Sequence, residues 1–370
     1  MKQIRNLLLK LLISASLLVL FIGVIPSTFA ADIVASGSCG TKLTWELESS
    51  GTLTIGGSGT MKDYSAGGAP WYSYRNEIKE IVFEGNPTKI GNDAFYGCKN
   101  IVSEVVIPDS VLSIGKESFR LCSQIPSVYV GRGLNKIGER AFQDCSAMKV
   151  FRVSPDSDSY GSKEGILYNK DFSRVEYCPP AFQVHNIEIP NTVKVIGQNS
   201  FLYCKEITGD LIIPDSVTEI EASAFKGCTN LKGVLKLGEA VQSIDEYAFD
   251  ACGFQCSLSI PESVESIGDF AFCLCSGLTG NLTIPGSVKT IGTNAFAWTG
   301  FNGKLTLKEG VESIGSTAFY NISGLTEIAS LPDSLKNIDS QAFKQCANIS
   351  GELVLGLSLI HISEPTRLDV

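Results

Sequence analysis

Apolar positions recur along this chain in one fixed order. Residues 278–298 display it: Leu278, Leu282 and Ile284, then Pro285, then Val288, Ile291 and Gly292, then Ala295 and Phe296. The alternation Leu282-Thr283-Ile284 has the period of two that predicts a strand with one buried face. Pro285 has no N–H to give to a ladder, so it ends that strand and turns the chain. Val288 and Ile291 begin a return leg, Gly292 permits a tight bend, and Ala295-Phe296 closes the coil over the core. The phrase returns with anchors at Phe95, Phe119, Phe142, Phe201, Phe225, Phe249, Phe272, Phe296, Phe319 and Phe343, 23 or 24 residues apart except for one gap of 59 after Phe142. A period of this size predicts a stacked solenoid in which each coil is covered only by its neighbours. At roughly 4.8 Å per coil, ten coils make a rod on the order of 50 Å long.

Five units insert a glycine after the leading aliphatic residue, at Gly209, Gly233, Gly280, Gly303 and Gly351. An extra glycine before a strand reads as a bulge or a left-handed turn that resets register. The unit Met148–Val153 lacks the insertion and fits the plain L-x-x-L-x-L pattern of leucine-rich repeats. Inside the long gap, EGILYNKDFSRVEYCPP at 164–180 reads as a hairpin turning at Asn169-Lys170-Asp171.

The recurring phrase IPDSVxxIGxxAFxxC resembles the repeat of BspA-like leucine-rich repeat surface proteins, and the resemblance covers roughly residues 33–356. The stretch CGTKLTWELESSGTLTIGGSGTMKDY, with Trp45, Met61 and Pro70-Trp71, resembles the leader module before such arrays, and residues 164–180 resemble the family's variant unit. The resemblance implies a repeat solenoid, a β-rich right-handed coil of short strands and turns, plus a small β-rich N-terminal cap over the first coil's core. The expected division is a signal peptide at 1–30, a cap at 31–80, and a solenoid at 81–356 of about ten regular units with a variant hairpin near 152–182.

The two ends change the picture. Lys2, Arg5 and Lys10, an apolar run from Leu11 to Ile25, and small residues before Ala31 make a secretory signal peptide cut after Ala30. No membrane insertion is expected once it is removed. At the other end, LSLIHISEPTR (357–367) abandons the phrase after Gly356 and resembles the translation of a transposase adapter used in sequencing libraries. Residues 357–370 therefore read as an assembly artefact, with the native array expected to continue. Without Lys2, Arg5, Lys10, Glu364, Arg367 and Asp369, the 30 basic and 39 acidic residues become 26 and 37, a net charge of −11. Such a surface repels phosphate backbones, which argues against nucleic acid as a partner.

Chemistry finds little purchase. Eight of the twelve cysteines stand three residues after an anchor Phe (Cys98, Cys122, Cys145, Cys204, Cys228, Cys252, Cys275 and Cys346), and Thr299 and Ile322 occupy the same slot in two other units. A slot that accepts Thr or Ile is a packing position. Stacked identical positions point in parallel, unlike the geometry of a disulfide, so Cys39, Cys178, Cys256 and Cys273 are the better partners for any bridge. Neither C-x-x-C pairs nor histidine ligands of a metal site occur. His185 has no activated nucleophile elbow to serve, and Gly131-Arg132-Gly133 lacks the third glycine and the helix of a phosphate loop. The expectation is a protein that is not an enzyme and carries no cofactor.

Comparing units within the chain separates positions the fold dictates from those it leaves free. The residue between the two inward positions of the leading strand varies: Val106, Tyr129, Glu188, Ile212, Lys236, Ser259, Thr283, Thr306 and Val354. Extended faces of this kind are the usual contact surface of repeat proteins. Tyr129, Glu188, Ile212, Lys236, Ser259, Thr283 and Thr306 are the candidate ligand-binding residues, with Tyr129, Ile212 and Lys236 as first anchors. A second row, just before each Ile of the return leg, is almost uniformly polar and reads as plain solvent-facing surface. The resemblance implies adhesion: a secreted or cell-surface monomer that binds extracellular protein, such as host matrix, or glycan. The competing reading is a spacer or targeting arm of a larger surface enzyme.

Overall fold

The computed structural model describes residues 32–329 and 331–350, with the backbone of 361–362. The expected signal peptide, Gly351, Val354 and most of 357–370 lie outside the described residues. Within them the chain is a β-solenoid of short strands and turns whose single helical element is the 3-10 turn Tyr72–Tyr74. Each coil has three walls. The leading wall carries strands such as Leu282–Ile284, the return wall carries two-residue strands such as Thr290–Ile291, and the closing wall holds the turns around each anchor Phe.

The return wall, read from sequence as incidental surface, forms the longer sheet. Val195–Ile196, Glu219–Ile220, Ser243–Ile244, Ser266–Ile267, Thr290–Ile291, Ser313–Ile314 and Asn337–Ile338 pair in parallel without interruption. His361–Ile362 pairs next, 24 residues beyond Asn337–Ile338. The leading wall instead breaks into separate sheets of two or three strands. The inserted glycines contribute to this. Across from Gly209 (φ +85°) the register slips between His185 and Ile187, as an extra residue in one strand requires.

The closing wall is not a strand, yet it carries a ladder. Ser223, Phe225 and Gly227 donate their N–H groups to the carbonyls of Glu246, Ala248 and Asp250 one coil ahead, at 2.9, 2.7 and 2.8 Å. The coil before does the same from Asn199, Phe201 and Tyr203 to Ala222, Ala224 and Lys226. The intervening N–H groups turn back into their own coil, as in Lys226 to Ser223 O. The inter-coil N–H groups of each anchor and of the residues two before and two after it therefore point toward the C-terminus. The cost is a left-handed backbone two residues on either side of each anchor: Tyr247 and Ala251 (φ +57° and +56°), Phe270 and Leu274 (+57° and +60°), Asn294 and Trp298 (+53° and +56°).

Inside, the anchor rings form a stack: Phe201, Phe225, Phe249, Phe272, Phe296, Phe319 and Phe343 follow one another with centroids 4.7 to 5.6 Å apart. The serines of the Ser-Val pairs tie turn to turn, as in Ser216 Oγ to Val193 O (2.7 Å) and Ser334 Oγ to Val311 O (2.8 Å). At the start, β1 (Ile33–Ser38), β2 (Leu43–Glu48) and β3 (Thr52–Thr60) form an antiparallel meander. The long β3 then pairs in parallel with both β4 (Glu80–Phe83) and β5 (Asn86–Ile90), seeding two walls at once. Trp71 completes this cap. Its indole stacks on Phe95 at 5.4 Å and its Nε1–H donates to Ala94 O at 2.8 Å, so one side chain supplies both the ring and the donor that a preceding coil would give.

The 59-residue gap is a septum. Tyr160–Lys163, Ile166–Asn169 and Arg174–Tyr177 form an antiparallel meander, and the last of these starts the long return-wall sheet by pairing with Val195–Ile196. Asn169 fixes its second turn, accepting from Arg174 N (2.9 Å) and donating to Ser173 Oγ (2.9 Å). Alternation of side chains on the middle strand divides the core. Leu167 packs into the cluster that runs from Cys39 to Phe151, while Ile166 and Tyr168 pack into the cluster that runs on to Cys346.

Candidate functional site

The residues expected to bind lie on the leading wall but do not form one continuous face. Tyr129 is half-buried on the strand Ser127–Val130, in register between Val106 and Arg152. Arg152 there forms an ion pair with Glu104. Ile212 and Lys236 are exposed and directly paired; Thr283, exposed, pairs with the half-buried Thr306. Two candidates fall outside the strands. Glu188 follows the strand Val184–Ile187, whose register has already slipped opposite Gly209. Ser259 lies past Cys256–Ser257, which pairs with Leu278–Thr279 at an offset of 22, whereas Ser259 and Thr283 are 24 apart; the coils therefore separate before Ser259. Glu188 and Ile212 do share a groove of about 500 Å³, with Lys163, Asn186 and Asp210 on its sides.

A larger cavity, about 560 Å³, opens where the septum interrupts the closing wall. One side comes from the coil of Phe142, with Arg140 and Asp144; the other comes from the coil of Phe201, with Gln198 and Leu202. Tyr177 lines it from the septum, its hydroxyl donating to Phe142 O at 2.6 Å. Arg174 makes a two-pronged ion pair with Glu221 (both contacts 2.6 Å) and approaches Glu176 at 3.5 Å. The Arg174 guanidinium holds the Glu221 carboxyl below its usual range, whereas burial outweighs the same guanidinium at Glu176 and raises it. Burial pushes the Tyr160 phenol to about 12, so it is neutral at ordinary pH.

Sequence reasoning missed this cavity, and also the exposed residues of the closing wall. Leu121, Tyr203, Leu274 and Trp298 stand two residues after their anchors and are exposed, and Tyr247 stacks on Phe270 at 4.7 Å. The variability of this position among the units was the available signal: Gly97, Leu121, Asp144, Tyr203, Gly227, Ala251, Leu274, Trp298, Asn321 and Gln345.

All twelve cysteines are free thiols, including Cys39, Cys178, Cys256 and Cys273. The ladder cysteines have a definite task. Cys122, Cys228, Cys252, Cys275 and Cys346 each donate S–H to the carbonyl of the anchor Phe one coil back, at 3.0 to 3.1 Å. Where Ile322 removes that donor from Phe296 O, Thr299 Oγ1 supplies it from its own coil at 2.7 Å. Burial pushes the Cys98 thiol up to about 12, which keeps it out of thiolate chemistry. His185 is exposed and its Nδ1 lies 3.1 Å from Thr208 Oγ1. Among the described residues no three His, Cys, Asp or Glu side chains gather as a metal site, and no helix is long and apolar enough to cross a membrane.

Comparison with known proteins agrees with this geometry. A profile of the BspA type leucine rich repeat region matches in six copies, over residues 70–179, 173–302 and 292–364. A leucine-rich repeat protein from Eubacterium ventriosum has a solved structure with a TM-score of 0.60 at 22% identity, covering 88% of this chain and 92% of that one. The pneumococcal vaccine antigen PcpA matches at 15% identity with a TM-score of 0.47, covering 86% of this chain and 98% of that one. No curated protein matches the sequence.

Proposed function

We propose, on the premise that this chain belongs to the BspA-type leucine-rich repeat family, that it is a non-catalytic binding module of the cell exterior. The observation that carries this reading is the leading wall. Its inward positions, Val105, Ile107, Val128 and Val130, are fully buried, while the residues between them, Val106 and Tyr129, sit in register on the outer face. Ile212, exposed beside Lys236, repeats the arrangement beyond the septum. Paired apolar side chains held on a rigid sheet supply contact area at little ordering cost, which suits capture of an extracellular protein or glycan. Host matrix protein is the ligand class we favour, with Tyr129, Ile212 and Lys236 as anchors and Glu188, Ser259, Thr283 and Thr306 along the same side. The basic and apolar N-terminal thirty residues support export, and the acidic balance opposes nucleic acid.

The test is capture of purified matrix proteins and glycans by the protein and by the triple variant Tyr129→Ala, Ile212→Ala, Lys236→Ala. Loss of roughly tenfold or more in affinity is expected if these residues are anchors. Equal capture by both proteins would move the site elsewhere, and no capture by either would favour the spacer reading.

A further inference from the structure

The cavity at the septum plays no part in that reading, and its walls have a chemistry of their own. We propose that it is a saccharide site, which takes the uncharged terminal sugar of a glycan against the ring of Tyr203 and between the unpaired backbone groups of the two coils that the septum separates.

The polar groups come from the interrupted wall. At the regular junction between the coils of Phe201 and Phe225, three N–H groups of one coil meet three carbonyls of the next. At the septum Cys178 and Tyr177 take over the middle of that row: Cys178 N donates to Ser200 O at 2.6 Å, and Tyr177 covers Phe142 with ring centroids 6.2 Å apart. The flanking groups are left over. Among the described residues the N–H groups of Arg140 and Asp144 have no acceptor and the carbonyls of Gln198 and Leu202 no donor, and all four residues line the cavity. Arg140 and Gln198 are exposed, so a ligand reaches these groups from solvent and has to bring both acceptors and donors to replace it.

Tyr203 supplies an apolar side. It is 43% exposed and lines the cavity from the far coil. Its ring leans over Gly227, where a Cβ would overlap it, so the missing side chain lets the ring settle against the coil ahead and leaves its exposed remainder to the cavity. The ammonium of Lys205 borders the same space, 5.9 Å from the ring centroid, as a further donor.

A sugar meets both demands. Each hydroxyl donates one hydrogen bond and accepts two, neighbouring hydroxyls present the two roles side by side, and the C–H groups of the ring suit the negative face of an aromatic side chain. Charge selects among sugars. The carboxylates of Glu139, Asp144 and Glu176 stand around the cavity, and both guanidinium groups are already engaged: Arg174 with Glu221, Arg140 with Glu139 at 3.3 Å. A sialic acid or a sulfate ester would be repelled there, whereas a neutral hexose would not. A cation would find acceptors in those carboxylates but has nothing to offer the N–H groups of Arg140 and Asp144. The volume, about 560 Å³, falls within the range of small-ligand sites.

The experiment presents the full protein to an array of extracellular glycans with neutral, sialylated and sulfated ends, then titrates the free oligosaccharide of each hit by calorimetry. We expect neutral ends to be retained, with binding about tenfold weaker in Tyr203→Ala and unchanged in Tyr203→Phe, since the ring and not the hydroxyl makes the contact. Gln198→Trp puts an indole across the lining from an exposed position, and should weaken binding as much while keeping the wild-type melting curve. Tyr129→Ala, Ile212→Ala, Lys236→Ala together should bind these sugars as the wild type does, which separates this site from the leading wall. In the unaltered protein, bound sugar should slow hydrogen exchange at the Arg140 and Asp144 amides. The proposal is overturned if no neutral glycan is retained, if sialylated or sulfated ends bind more tightly, if Tyr203→Ala and Gln198→Trp both bind as the wild type does, or if the leading-wall triple variant loses these sugars.

Discussion

From Phe201 to Phe343 each coil lends the next its apolar face and a forward row of N–H groups, whereas after Phe142 the septum covers the apolar face and the anchor carbonyl with different groups and leaves the N–H row without acceptors. The carbonyl of Phe142 accepts from the Tyr177 hydroxyl instead of a thiol, and Cys204 Sγ turns to Cys178 O at 3.5 Å. The apolar face of the Phe142 coil is covered by Leu167 and by Phe151 and Tyr177, both set edge-on to its ring. The difference teaches that core and ladder are separable requirements. A meander with alternating side chains can seal two cores at once, but its backbone does not reproduce the left-handed rung of the closing wall, and the outer donors go unanswered.

Breaking the regular stack should give the largest effect. Phe249 is fully buried between Phe225 and Phe272, so Phe249→Ala should cost about 3 to 5 kcal/mol. Because the septum separates the cores, hydrogen exchange should show protection lost over residues 184–350 and kept over 39–151. Loss of protection in both stacks together would mean that the septum transmits cooperativity instead of interrupting it.

A smaller effect comes from the charge pair that ties the septum to the second stack. The folded-state pKa of Glu221 lies below its unfolded value, so its contribution is fully present above the unfolded carboxylate pKa, about 4.3, and is lost as pH falls through the lower folded value. Glu176, raised by burial, has the opposite sign: its cost at neutral pH fades as it protonates. Glu221→Gln should therefore lower the urea midpoint at pH 7 and converge with the wild type near pH 3. A constant difference across that range would detach the pair from stability.

The smallest change should go the other way. Leu274 is exposed in a left-handed conformation at φ +60°, a region that Asn enters at lower cost than Leu. Leu274→Asn is expected to raise stability by about 0.5 to 1 kcal/mol in urea unfolding. A destabilised variant would show that the side chain, and not its backbone, sets the balance there.

Much of the scaffold was legible because the phrase repeats: each inward Ile, Val and Phe could be checked against nine other copies in the same chain. The Cys slot was read as packing from Thr299 and Ile322, and its donation to a carbonyl one coil back was hidden because sequence spacing does not reveal which coil a side chain faces. The precedence of the two strand rows was misjudged for a related reason. Leu-Thr-Ile looks a stronger strand than Ser-Ile, yet the inserted glycines shift register only on the leading wall, and the weaker motif pairs without interruption. The cavity left no mark in composition, since it is made of backbone groups that lack partners.

The closing wall has one further consequence, which concerns time. A ribosome delivers this chain amino end first, and Trp71 already gives the first coil the donor its Ala94 carbonyl needs. Each coil, once folded, then holds out N–H groups toward sequence not yet made, and the next coil arrives with the matching carbonyls. Assembly can thus proceed in the order of synthesis with no coil waiting on a distant partner. At the septum the emerging chain leaves the waiting row of Arg140, Phe142 and Asp144 amides unfilled.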